Sequence, residues 1–368
     1  MDAHGVSTKL YTFCMRERRQ IVELWHRGEA IALATLVRVE GSSYRRTGAR
    51  LLIAANGDYA GSISGGCLEA EIIRKAAWLV RDGAIVERYS TLFDDTADIP
   101  YGLGCGGTVD VLLEPAGTPE FTALMRALEA SLTSESFKIE TVLPTAGQPL
   151  RRTIQAHSSR LQALSSSPDH YAPRSADTFC EALDPPQRLL IFGAGDDSRP
   201  MVQMAALMGW NVTVIDSRPQ WAKPERFPEA QRVLCAASLN DLGIGTRAAA
   251  VIMSHSYEQD RAWLSALLPL GVRYLGVLGA RHRSALLVAE AAAVLGWDVA
   301  RACEGLFAPV GLDLGGDGAE SIGLATIAEI KACSEGKLGV SRRMTPELIA
   351  EQIAAGGASR YLQTQCAL

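Results

Sequence analysis

Residues 188–200, RLLIFGAGDDSRP, constrain this chain more than any other segment. A short apolar run ends in Gly193-Ala194-Gly195 and passes at once into residues with helical spacing. Strand, tight glycine turn and helix in that order let backbone N–H groups approach a pyrophosphate, which the positive end of the helix dipole favours. The following segments keep the alternation. NVTVIDS, RVLCA, AAAVIMSH and YLGVLGA read as strands, with helices over about 199–208, 260–268, 284–295 and 320–333. Apolar strands alternating with helices predict a Rossmann-like, doubly wound parallel-sheet domain.

Within this unit Gly193 and Gly195 are the candidate phosphate turn, with the small Ser198 in the third slot, while Asp196 and Asp197 put negative charge at the helix N-terminus, where they can cap the helix and compete with a phosphate. Asp216 ends the next strand about twenty residues on, where a carboxylate takes ribose hydroxyls and repels a 2′-phosphate, so NAD or another unphosphorylated adenosine ligand is favoured over NADP. His255, in MSHSYEQD, and Arg281, in LGARHR, follow later strands and so face the crevice at the carboxyl ends of the sheet. A guanidinium there can take phosphate oxygens in a bidentate fashion. The same residues also suit a Rossmann scaffold kept for a different ligand, because a fold does not fix a function.

The preceding half reads as an α+β domain. A helix over 13–25, a strand over 30–39, a hairpin turning at Asn56-Gly57 and a helix over 68–79 are followed by a strand over 108–114 and a helix over 119–132. FKIETVLP, PLRRTIQA and TFCEALDPP add strands, the polar stretch 158–175 reads as a surface loop, and Pro185-Pro186 marks the boundary. The domains are therefore expected at 1–184 and 187–368. A small helix over TPELIAEQIAAGG closes the chain.

Eight cysteines occur and none forms a CxxC pair, which excludes a zinc ribbon or a thioredoxin site. Most cysteines of a reducing cytosol are small buried hydrophobes. Two stand in unusual surroundings. Cys67 follows Ser64, Gly65 and Gly66 in GSISGGCLEAE and opens a helix, where the dipole favours thiolate. Cys105 lies in YGLGCGG, whose glycines allow close approach of backbone to a ligand. In a chain of net charge −5, the segment EGSSYRRTGAR gathers Ser42, Ser43, Arg45, Arg46 and Arg50 into a local anion cradle. Thiolates beside such a cradle point to a phosphorylated, sulfur-linked cofactor. Glycines serving hairpin geometry around two buried cysteines are the alternative. The acidic balance excludes a nucleic-acid footprint, and neither a membrane-length apolar run nor a signal-peptide core is present, so a cytoplasmic protein is expected.

EGSSYRRTGA, GSISGGCLEAE, YGLGCGGTVDVLLEP, LLIFGAGDDSRP, VTVIDSRP, MSHSYEQD, YLGVLGARHR and VGLDLGGDGAESIGLATIAEI, in this order, resemble the XdhC/CoxI family of xanthine dehydrogenase accessory factors. The resemblance implies a maturation factor that binds molybdenum cofactor (molybdopterin). Such a factor supports sulfuration of the cofactor with a cysteine desulfurase and delivers it to an apo molybdenum hydroxylase. It also implies a homodimer, with Cys67 and Cys105 as cofactor-handling, metal-contacting cysteines and the pterin phosphate on Arg45, Arg46 or Arg50. Soft thiolates suit a thiophilic metal. This sequence departs from the family pattern at Tyr44, where proline is usual, at Ala280, where serine is usual, and at Gly316-Asp317-Gly318-Ala319, where a Thr-Pro-Glu-like helix start is usual. The rival is an NAD-dependent oxidoreductase with His255 as acid or base and the first domain as substrate cap.

Overall fold

The computed structural model describes residues 15–66, 68–90, 107–157, 177–236, 238–239 and 242–339. Cys67, Cys105, the polar stretch 158–175 and the TPELIAEQIAAGG segment lie outside them.

The amino-terminal part begins with helix α1 (Met15–His26) and the long strand β1 (Ala30–Gly41). An Asn56-Gly57 hairpin then joins β2 (Arg50–Ala54) to β3 (Tyr59–Gly61), with Gly57 at φ 88° as its turn requires. Helix α2 (Glu69–Leu79), strands β4 (Ile85–Ser90) and β5 (Gly107–Pro115) and helix α3 (Pro119–Ser131) follow. Strand β4 is an addition to the sequence reading. Its IVERYS residues are half-buried except for the exposed Arg88 and Ser90, the mark of an edge strand that lacks a strong apolar signal. These strands form one antiparallel sheet in the order β3-β2-β1-β5-β4. Ile21 of α1, Ile72 of α2 and Leu124 and Leu128 of α3 share one core with Leu33, Leu51 and Leu113 of the sheet.

A second antiparallel sheet, β7-β6-β8, is built from β6 (Ser136–Val142), β7 (Arg151–His157) and β8 (Thr178–Leu183). Its neighbourhood supplies Leu143, Leu150 and Phe179, which pack with Val37 and Leu112 of the first sheet. An almost fully buried ion pair, Arg152 to Glu114 at 2.9 Å, ties β7 to β5. Removing either partner would strand the other charge, at a cost of about 3–5 kcal/mol.

From Arg188 onward the sheet is wholly parallel. It comprises β9 (Arg188–Phe192), β10 (Asn211–Asp216), β11 (Arg232–Cys235), β12 (Ala249–Ile252), β13 (Tyr274–Val277) and β14 (Leu306–Phe307), in the order β11-β10-β9-β12-β13-β14. Counted within the unit this is 3-2-1-4-5-6, the order of dinucleotide-binding sheets, with its reversal between β9 and β12. The apolar runs follow from burial on both faces. Leu190, Phe192, Ala250 and Ile252 point to one core with Leu264 and Leu287, whereas Leu189, Ile191, Ala249 and Val251 point to another with Met201 and Ile327. Helices α4 (Ser198–Leu207) and α8 (Ala319–Ser334) cover the second face, and α5 (Tyr257–Leu267) and α6 (Arg281–Leu295) the first. The short α7 (Val299–Ala302) follows α6.

Helix α1 links the two parts. Arg18 donates to Ser131 Oγ and to the Asp184 carbonyl, both at 2.8 Å, and Arg19 donates to Asn211 Oδ1 at 2.7 Å.

Candidate functional site

Antiparallel pairing brings the end of β1, the starts of β2 and β5 and the end of β3 to one edge of the first sheet, so the loops singled out in the sequence share that edge. Gly107, which closes YGLGCGG, pairs with Gly41. A Cβ on Gly107 would lie 2.2 Å from the Ser42 carbonyl oxygen, so only glycine lets these backbones touch. On the other side a Cβ on Gly65 would lie 2.8 Å from the ring of Tyr44. The serine-arginine loop is thus the common neighbour of both cysteine-bearing segments. Cys67 itself is outside the described residues; Gly66 beside it has φ 118° and, among the described residues, no atom within 4 Å of a Cβ position.

The GSISGG loop is organised from within by Glu69, the first residue of α2. Its carboxylate accepts from Ser62 Oγ (2.8 Å), Ile63 N (3.0 Å), Ser64 N (2.8 Å), Gly65 N (3.2 Å) and Gly66 N (2.9 Å), and from the Ser64 hydroxyl. Burial alone would raise the Glu69 pKa, but the Ser64 and Ser62 bonds outweigh it and bring the group down to about 2. Ser64, Gly65 and Gly66, expected to face a cofactor, therefore spend these N–H and hydroxyl donors on Glu69. The sequence reading missed Glu69, although an acid in the first turn after a glycine loop is a signal for such an anion nest.

The arginines divide. Arg50 does not join an anion cradle: its guanidinium is buried, donates to the Gly48 carbonyl and pairs with Glu181 of the second sheet. Arg45 makes a bidentate pair with Glu17 of α1 at 2.6 and 2.7 Å, which anchors the loop to the helix. Arg46 and Ser42 are exposed. The cradle is therefore narrower than the sequence pattern predicts, because two of its cations are matched by carboxylates from elsewhere in the chain.

At the second sheet Gly193, with φ 133°, presses against β12, where a Cβ would lie 2.4 Å from the Met253 carbonyl oxygen. Asp216 is buried and does not stand open to a ribose. It accepts from Ala194 N (2.8 Å), from Arg218 N (2.9 Å) and twice from the Arg218 guanidinium (2.8 Å each), which fills the four lone-pair directions of a carboxylate. Burial pushes its pKa up, and the Arg218 and Ala194 bonds more than reverse that. Asp196 pairs with Arg226 at 2.8 Å, and Asp197 with His255 at 2.7 Å. Arg281 is exposed at the first turn of α6 and has no ion pair among the described residues. Acidic side chains thus stand where α4 begins and basic ones where α6 begins. Arg218 and Arg226 belong to this crevice although no sequence signal marks them, and Asp197, a capping acid by its position in the sequence, is held by His255 instead.

A parallel 3-2-1-4-5-6 sheet with a glycine turn at its reversal, behind an α+β domain with clustered glycine loops, defines a Rossmann-bearing two-part protein. The model of the XdhC Rossmann domain matches residues 189–330, and that of the XdhC and CoxI family matches residues 24–90. Together they span more than half of the chain, which belongs to the XdhC and CoxI family. It is 28% identical over 316 residues to a protein of Bacillus subtilis described as a probable subunit of xanthine dehydrogenase, covering 82% of this chain and 92% of that one. It is 26% identical over 317 residues to the molybdenum cofactor insertion chaperone PaoD of Escherichia coli, covering 85% and 86%. A crystal structure described as a xanthine dehydrogenase from Bacillus halodurans superposes with a TM-score of 0.72 at 26% identity, covering 90% of this chain and 99% of that one.

Proposed function

We propose that this protein is a molybdenum cofactor maturation factor, and that the shared edge of the first sheet is where it holds its cargo. The observation that carries this reading is the meeting of the serine-arginine loop with both cysteine-bearing segments, through Tyr44 on Gly65 and Ser42 on Gly107. In this reading Cys67 and Cys105 supply thiolates to the metal or its sulfur, and the exposed Arg46 with Ser42 receives the pterin phosphate. Arg45 acts by holding that loop to α1. Glu69 already fills the nest of backbone donors, so recognition falls to side chains.

The cargo would be sulfurated here with a cysteine desulfurase and passed to a hydroxylase of the xanthine dehydrogenase type, with the protein acting as a cytoplasmic homodimer. The names of the relatives, one a cofactor insertion chaperone and one a probable component of xanthine dehydrogenase, support the maturation role and the class of client. The desulfurase and the homodimer follow from the family resemblance alone, and the location from the sequence. The Rossmann crevice would take NAD or another nucleotide. Among the described residues no helix is long and apolar enough to cross a membrane.

The test is the molybdenum and pterin content of protein purified without oxygen from a host that makes the cofactor, for wild type beside Cys67→Ala. Metal and oxidised-pterin fluorescence in the wild type, lost from the folded variant, are the expected result. Neither in the wild type, even after addition of free cofactor, would reject the proposal.

A further inference from the structure

At the second glycine of a dinucleotide turn, the missing side chain is what lets a ligand's pyrophosphate reach the backbone. In this chain that space is filled from within. A Cβ on Gly195 would lie 2.4 Å from Asp197 Oδ1 and 3.8 Å from His255 Cδ2. The carboxylate is fixed by the contact of His255 Nε2 with Asp197 Oδ2 at 2.7 Å. His255 is fixed in turn: it has φ 61°, the one positive value among the described non-glycine residues. The turn around it is braced by buried Asp260, which accepts from Ser254 N at 3.1 Å and Ser254 Oγ at 2.5 Å and pairs with Arg283 at 2.7 Å. Asp197 stands at the N-cap of α4 but makes no side-chain capping bond, so helix capping does not account for where its carboxylate lies.

We propose that Asp197 and His255 form a latch over the pyrophosphate subsite, so that the crevice in its resting form selects against nucleotides carrying a diphosphate. The latch rests on the reading of this crevice as a nucleotide site and sets what that site admits. An incoming pyrophosphate would meet a carboxylate of like charge in the space it must occupy, whereas a nucleoside carries no charge to be repelled. A dinucleotide or nucleoside diphosphate then enters only when Asp197 turns away from Gly195. Asp197 is thereby a specificity-determining residue rather than a helix cap.

The experiment is calorimetric titration of the full chain with ADP, CDP and GDP, each beside its nucleoside, for wild type, Asp197→Asn and Asp197→Ala. The asparagine variant is nearly isosteric and removes only the charge, which guards against a folding defect in the alanine variant. The latch predicts that Asp197→Ala binds at least one diphosphate about tenfold more tightly or better, that Asp197→Asn shows a smaller gain, and that nucleoside affinity stays the same. Unchanged or weaker diphosphate binding in both variants would overturn the latch and leave the nucleotide crevice standing. An equal gain for nucleosides would overturn it as well, because the effect would not arise from the phosphates. Failure of every compound to bind every form would overturn the nucleotide crevice and the latch together.

Discussion

In the first domain Glu69 collects hydrogen bonds from four successive backbone N–H groups and two serine hydroxyls of a single loop. In the Rossmann domain Asp216 takes one bond from its glycine turn, at Ala194 N, spends the rest on Arg218, and leaves Asp197 to cover Gly195. Both loops are steadied by a buried carboxylate, but with opposite consequences. Where the loop's own donors are consumed, a ligand must be recognised by side chains. Where the carboxylate takes only one N–H group of the turn, a side chain such as that of Asp197 can control access to the rest.

Five substitutions would break or sharpen this contrast. Gly193→Ala should be the most damaging, at about 3 kcal/mol or more, since its Cβ would press into the β12 backbone at a positive φ. Gly66→Ala meets no atom of the described residues and should cost chiefly backbone strain, about 1–3 kcal/mol. Equal losses in denaturant unfolding would show that the two turns are packed alike.

Next, Glu69→Gln should cost on the order of 2 kcal/mol at neutral pH, allowing for solvent screening. The folded pKa lies below the ordinary 4.5, so the carboxylate's advantage is complete above 4.5 and is lost as pH falls toward about 2. The stability gap between wild type and variant, followed from pH 7 downward, should therefore shrink below about 4.5. A gap independent of pH would deny Glu69 its ionised role. Asp216→Asn should cost less, about 1–2 kcal/mol, because fewer loop donors depend on it and Arg218 can turn to solvent. A cost exceeding that of Glu69→Gln would invert the comparison. The smallest effect belongs to Tyr44→Ala, since Tyr44 is 72% exposed. Its melting temperature should stay near wild type, with a change within about 0.5 kcal/mol.

The Rossmann half was the more legible in the sequence. Burial on both faces writes apolar runs such as LLIF and AAVI directly into the chain, and the turn glycines punctuate them. The edge strand β4 left no such trace, because a half-buried edge needs no strict alternation. At the candidate sites, residue types were readable but pairings were not. That Arg50 is matched by Glu181, 131 positions away, and Arg45 by Glu17 on α1 depends on tertiary neighbours that no local pattern encodes. Glu69 escaped notice, and Asp197 read only as a capping acid that competes with a phosphate, for the complementary reason: an acid beside a glycine turn reads as a helix-start residue until its hydrogen bonds are seen.

The central claim is that cargo is held by the first domain and not by the Rossmann crevice. Its most direct test is the molybdenum and pterin content of Cys67→Ala and Asp216→Ala, purified in parallel from a cofactor-producing host. The account predicts loss of both from folded Cys67→Ala and wild-type content in Asp216→Ala. Retention in the cysteine variant with loss in the aspartate variant would place the cargo in the other half of the molecule and contradict it.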